Sequence, residues 1–366
     1  MDVRLSTEQQ ALRASAAQLV ATLGPGTVRE LGDHDRAARL DAAVASAGWR
    51  ELRDAGQSGR ALASTVETAL VAEELGRGLA DTAFLGPVLA AELRRLTGAP
   101  PATGPETVLL TTDLAGLARA RRGRAGGVAI DARGSASALL LDPTTHQDGN
   151  VAGPGQPAWQ LARVRISGPA ARADLTRALA VVPDTDARQV DGQQRTLSEA
   201  DLAGWTAVVL ALTCADLVGV MAGAITAATE YARIRRQYGA PVGSFQAIQH
   251  LLADAFVAAE GSRSIALYAA WAADALPADR AGTAAATAKA YCSRAARTVC
   301  ETAIQVHGGI GNTWECMAHV FLRRALLSTR ILGGEAASLA RVLAGHGLAG
   351  QGLAGHGPAV PQSRPS

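Results

Sequence analysis

Residues 231–239 (YARIRRQYG), 244–250 (SFQAIQH) and 305–311 (QVHGGIG) decide how this chain is read. The first sets a doubled arginine at the end of a long Ala-rich helical run. The second places Gln246, read here as buried, at the start of another run, and the third ends a further run in a glycine cluster. Arginine side chains and open glycine backbone are what a protein uses to approach a phosphate-bearing ligand. Taken together the three stretches read as an anion clamp.

Each stretch alone has a plainer reading. Arg233, Arg235 and Arg236 would be a solvated helix end favoured by the helix dipole, and Gly308 and Gly309 would cap a helix. The joint pattern carries more weight, because the order and spacing of the stretches resemble those of the acyl-CoA dehydrogenase family. That family holds FAD with R-x-x-F-G, F-Q-x-x-Q and Q-x-x-G-G elements. Here they read Arg235-Arg236-Gln237-Tyr238-Gly239, Phe245-Gln246-Ala247-Ile248-Gln249 and Gln305-Val306-His307-Gly308-Gly309. The resemblance extends through Ala288-Lys289-Ala290-Tyr291 and Leu322-Arg323-Arg324-Ala325, and covers most of residues 203–345.

The resemblance implies FAD as cofactor and the family's α+β, mostly α fold: an N-terminal helical domain, a reduced middle β domain and a C-terminal four-helix bundle. It also implies that Arg235, Tyr238, Phe245, Gln246 and the run Gln305, Val306, His307, Gly308 and Gly309 contact FAD, mostly that of a neighbouring subunit. The expected substrate is acyl-CoA or another acyl thioester, and the electron acceptor an electron-transfer flavoprotein.

The remaining sequence fits this outline. Ser6 and Gln9 form a capping box ahead of a helical apolar face at Leu12, Ala16, Leu19 and Val20. A second helical pattern covers residues 62–79, and a composition change near residues 99–105 introduces short apolar runs separated by turns. From residue 200 four helical segments follow, at 202–236, 245–273, 281–306 and 317–343. The expected divisions are therefore 1–104, 105–199 and 200–345, with 346–366, a five-residue Gly-rich repeat and its extension, as a disordered tail.

The 366 residues carry 48% hydrophobic and 19% charged residues and a net charge of +2 with no basic patch, which argues against nucleic acid as a partner. Lys289 is the only lysine. No run of uncharged apolar residues is long enough to span a bilayer, and residues 1–4 do not open a secretory signal. Cys214, Cys292, Cys300 and Cys316 lack metal-ligand spacing and read as reduced, buried thiols of a cytoplasmic protein. His307 and His319 read as satisfied bundle histidines, and Trp271 and Trp314 as packing residues.

Two departures from the family matter. The glutamate that usually removes the α-proton falls by spacing on Leu332, and the alternative base position on the preceding long helix falls on Val209. Asp216 and Glu335 are the nearest carboxylates, each read first as a surface or interhelical group. The flavin-side stretches A-L-T-E-P-x-x-G-S-D and W-I-T are missing, with a faint remnant at residues 108–113, while Ala173-Asp174-Leu175-Thr176-Arg177 resembles a D-x-T-R segment of short members. This profile implies one partner of a heteromer with a second acyl-CoA dehydrogenase-like subunit, the partner supplying the base. A structural subunit without flavin, and a self-sufficient homo-oligomer with a displaced base, remain open.

Overall fold

The computed structural model describes residues 4–143, 158–168 and 173–347; the repeat beyond residue 347 lies outside them. Four helices come first: α1 (Thr7–Leu23), α2 (His34–Ser46), α3 (Thr65–Arg77) and α4 (Leu85–Thr97). The Ser6 and Gln9 capping box forms as read, and Ser64 with Glu67 builds a second one on α3. Six strands follow among the described residues: β1 (Glu106–Leu110), β2 (Arg124–Ala129), β3 (Ser137–Pro143), β4 (Trp159–Arg165), β5 (Ala180–Asp186) and β6 (Arg188–Gln189). Their order is β5-β2-β1-β3-β4-β6, with β1 and β3 parallel and the other neighbours antiparallel.

The two-residue period of the strands sorts side chains between two cores. Leu109, Leu140, Ala162, Val164 and Val182 pack together on one face. Val108, Leu110, Leu139, Leu141 and Leu161 join the helical core on the other.

The C-terminal part comprises α5 (Glu199–Ile234), a small hairpin of β7 (Arg236–Gln237) and β8 (Ala240–Pro241), then α6 (Gln246–Ala275), α7 (Ala278–His307), α8 (Ala318–Arg330) and α9 (Glu335–Gly345). By length and composition α5 could cross a membrane, yet 89% of its most apolar stretch is buried inside the protein, so it is the central core helix. It packs on α3, α6 and α7. Glycines make the α3 crossing close: a Cβ at Gly219 would lie 1.9 Å from the Glu73 carbonyl oxygen.

The segment expected as one helix over residues 317–343 is instead two, α8 and α9, broken at residues 331–334. Leu332 (φ 55°) and Gly333 (φ 88°) both take the left-handed conformation there. A helix cannot continue through two such residues, so the chain turns sharply and α9 starts afresh.

Candidate functional site

The three motif stretches meet at one end of the bundle. Arg235 caps α5 in an extended conformation, its N–H donating to the Tyr231 carbonyl at 2.9 Å while its own carbonyl accepts from Val242 N–H at 2.8 Å. The β7–β8 hairpin that follows turns on Tyr238 (φ 51°) and Gly239 (φ 78°), the paired left-handed residues of a tight hairpin turn. Tyr238 stands 95% exposed and meets Phe245 edge-on, with ring centroids 6.4 Å apart. Phe245 caps α6, and Gln246 opens it.

On α7, Gln305 is exposed while Val306 and His307 are buried. The His307 Nδ1 lies 2.7 Å from the Ala303 carbonyl oxygen, which satisfies it within the bundle as expected. Its ring stacks on Tyr231 at 4.6 Å, joining the end of α5 to the end of α7. Burial disfavours the charged imidazole, but Cys316 and the Ala303 carbonyl more than offset it and hold its pKa above the ordinary value. Gly308 takes φ 66° and ψ −145°, and a Cβ at either Gly308 or Gly309 would meet open space.

Gln246, read as buried, is exposed: it stands in the first turn of α6, where Phe245, Ala247 and Gln249 are exposed as well. Trp314 is 64% exposed and not packed in the bundle; it leans on His319 and Arg323 at the surface. His319 is satisfied only in part: its ring bonds to the Thr313 backbone, while its Nε2 has no hydrogen-bond partner among the described residues. Three cysteines are buried as expected, whereas Cys316 is half-buried beside this end. Among the described residues neither Arg235 nor Gln246 pairs through its side chain with another residue. The exposed end thus offers an unpaired guanidinium, an amide, two aromatic faces and open glycine backbone, a donor set that fits a pyrophosphate attached to planar rings.

A second feature is a cleft of about 500 Å³ between the sheet, the start of α5 and α9. Leu141, Leu202, Trp205 and Leu332 form its apolar part, and Arg119, Arg121 and Arg341 its polar part; among the described residues no carboxylate or histidine lines it. Leu332 is held on both sides of its peptide: its N–H donates to the Leu114 carbonyl at 2.8 Å, and its carbonyl accepts from Arg341 at 2.7 Å. Behind it the buried Lys289 ammonium donates to the Ser328 and Ile331 carbonyls at 2.8 and 2.7 Å. Burial pulls the Lys289 pKa down to about 8. Val209 is fully buried in α5.

A larger groove of about 630 Å³ lies across the strand ends and mixes charges, with Glu106 and Asp186 on its walls beside Arg94, Arg163, Arg165 and Arg188; Arg94 pairs with Glu106 and Arg163 with Asp191. The carboxylate-free cleft is therefore the better ligand site.

Asp216 is an interhelical group. Its Oδ1 accepts from Arg324 at 2.7 Å and Arg177 at 2.8 Å, and its Oδ2 from the Ser328 hydroxyl at 2.7 Å. Burial pushes its carboxyl up, but Arg177 and Arg324 overcome this and hold it below the ordinary aspartate range. Arg324 also donates to Ala80 O and Thr176 Oγ1, so one buried cluster ties the N-terminal helices, the D-x-T-R segment and the bundle. Buried in this cluster, the carboxylate does not line the cleft. Glu335 is half-exposed at the start of α9, 3.9 Å from Arg294. Sequence reading missed the cluster as a unit; its parts, Arg177 and Arg324, stood out only as matches to separate motifs.

The family model for the acyl-CoA dehydrogenase C-terminal domain matches residues 208–348. Acyl-CoA dehydrogenase IpdE2 of Mycobacterium tuberculosis is 33% identical over 92% of this chain and 96% of its own length. The chain belongs to the acyl-CoA dehydrogenase family. IpdE2 of Mycolicibacterium smegmatis is 30% identical over 93% of this chain and 99% of its own. The acyl-CoA dehydrogenase fold is shared with the ChsE4-ChsE5 complex from Mycobacterium tuberculosis (TM-score 0.74, 24% identity, 96% of this chain and 99% of that one). It is shared also with glutaryl-coenzyme A dehydrogenase in its glutaryl-CoA complex (TM-score 0.75, 18% identity, 95% and 97%). The cofactor of the acyl-CoA dehydrogenase family is FAD.

Proposed function

We propose that this chain is one subunit of a heteromeric, FAD-linked acyl-CoA dehydrogenase that carries out α,β-dehydrogenation of an acyl thioester with FAD at the subunit interface. The observation that carries this is the split between the two sites: an exposed, unpaired clamp at the bundle end and a cleft of apolar residues and arginines with no carboxylate or histidine on its walls among the described residues. Arg235 would meet the pyrophosphate, Gln246 and the 305–309 backbone would hydrogen-bond FAD, and Tyr238 and Phe245 would cover it. Val306 and His307 would seat the 305–309 turn from inside the bundle. Bound FAD supplies the hydride acceptor.

The chain's own residues orient the acyl group and exclude water. Leu117, Leu141, Trp205 and Leu332 give an apolar wall, and removal of the α-proton falls to a base on the partner subunit. Two named relatives of the same fold are complexes or variants of paired chains, ChsE4-ChsE5 and a Tcur3481-Tcur3483 steroid ACAD, and this supports a second acyl-CoA dehydrogenase-like partner. The reading includes the divisions 1–104, 105–199 and 200–345, a cytoplasmic setting and an electron-transfer flavoprotein as acceptor.

The lack of a base in the cleft also favours a second reading, a structural subunit without flavin. Arg235→Ala separates the two: the flavin content of the assembled complex should fall several-fold on the first reading, and unchanged occupancy would count against the assigned clamp.

A further inference from the structure

Arg341 is half-buried, lines the cleft, and spends one N–H on the Leu332 carbonyl. No carboxylate pairs with it among the described residues. Burial alone pulls its pKa down, with no acid to restore it. Arg119, over the face of Trp159 at 4.3 Å, and the exposed Arg121 stand on the same cleft, and neither has an ion pair among the described residues. Lys289 adds a further positive charge behind the wall, and Arg341 is close enough to disfavour that charge. Asp113, the acid of the adjoining loop, accepts from Thr111 Oγ1 and Ala115 N–H within that loop. Elsewhere the protein pairs its buried arginines: Arg36, Arg53, Arg94, Arg177 and Arg324 all meet carboxylates.

A cationic wall left without a counter-ion above an apolar floor is complementary to an anion with an apolar body. We propose that the cleft is an oxyanion pocket, with Arg341 as its inner ligand and Arg119 and Arg121 at its rim, and that the acyl thioester it receives presents an oxyanion to them. This rests on the reading of the cleft as the acyl-thioester site. The oxyanion is a carboxylate carried by the acyl group or a phosphate carried by the thiol moiety; both match a guanidinium fork.

The test is fluorescence titration of the full-length chain with four probes: hexanoyl and adipoyl thioesters, each of coenzyme A and of N-acetylcysteamine, the latter lacking phosphates. A carboxylate source predicts tighter binding of adipoyl than hexanoyl in both carrier forms, by about tenfold for one charged hydrogen-bonded pair, with Arg341→Met abolishing the difference. A phosphate source predicts that coenzyme A forms bind more tightly whatever the acyl group, again with loss in Arg341→Met. Because Arg341 also holds the Leu332 carbonyl, the rim variant Arg121→Gln is measured alongside it and should reduce the same preference by a smaller factor.

Equal binding of all four thioesters, unchanged in both variants, would overturn the oxyanion pocket and leave the acyl-thioester reading standing. Failure of every thioester to bind, alone or with the partner, would remove that reading and the pocket with it.

Discussion

Replacing Asp216 with Asn would leave the Arg177 and Arg324 guanidinia buried without their shared counter-ion. Breaking a buried pair on one side costs about 3–5 kcal/mol, so Asp216→Asn should lower the urea midpoint clearly while leaving the exposed clamp untouched. Because the Asp216 pKa is depressed on folding, its contribution is present above the ordinary aspartate value and lost as pH falls below it.

Lys289 titrates in another window. Its folded pKa of about 8 lies below the ordinary 10.5, so the unfolded chain holds more protons between those values and stability from this group rises with pH there. The unfolding free energy of the wild type minus that of Lys289→Met should therefore increase by about 2 kcal/mol from about pH 7.5 to about pH 9.5. A flat or falling difference in denaturant titrations would refute the buried-ammonium argument. Neither residue's setting was legible in the sequence. A lone charge in an Ala-rich helix says nothing about which distant segment meets it, and the partners of Asp216 sit on two other elements.

Among the elements, α5 was the plainest in the sequence and its neighbours were the least so. Its apolar run and its end at Arg235 are local features, but the closeness of α3 depends on Gly219 and Gly223 facing the Glu73 and Arg77 carbonyls. Alanine would raise helix propensity by about 1 kcal/mol. At Gly219 that gain should be outweighed by overpacking of about 1–3 kcal/mol, giving a net lower melting temperature for Gly219→Ala, whereas the open Gly204 should tolerate or profit from the same change.

The α8–α9 break was missed because the helical period of residues 317–343 continues through it. The signal that could have found it was the Gly333-Gly334 pair, which permits a left-handed turn. The break brings Leu332 to the cleft wall, so the residue that spacing alone had marked acquires a place in the structure.

For the whole molecule, Ile234, Tyr238, Phe256 and Val257 leave large apolar side chains exposed along the end of α5, the hairpin and α6. Large apolar side chains left exposed along these elements suit burial by another chain. Phe256→Asp should weaken association with the partner subunit, seen in sedimentation velocity as a shift toward the free chain, without lowering the thermal stability of that chain. The outline of helices, strands and helices was legible in periodicity and turn residues. Which surface is covered, and by what, was not, because exposed aromatic residues read in sequence like core ones.

The visible absorption spectrum of the purified chain, alone and after co-expression with an acyl-CoA dehydrogenase-like partner shown to bind it, tests the shared flavin site most directly. Flavin bands that appear only in the co-purified complex are the predicted result. A complex that forms without flavin, or a full complement of flavin in the chain alone, would contradict it.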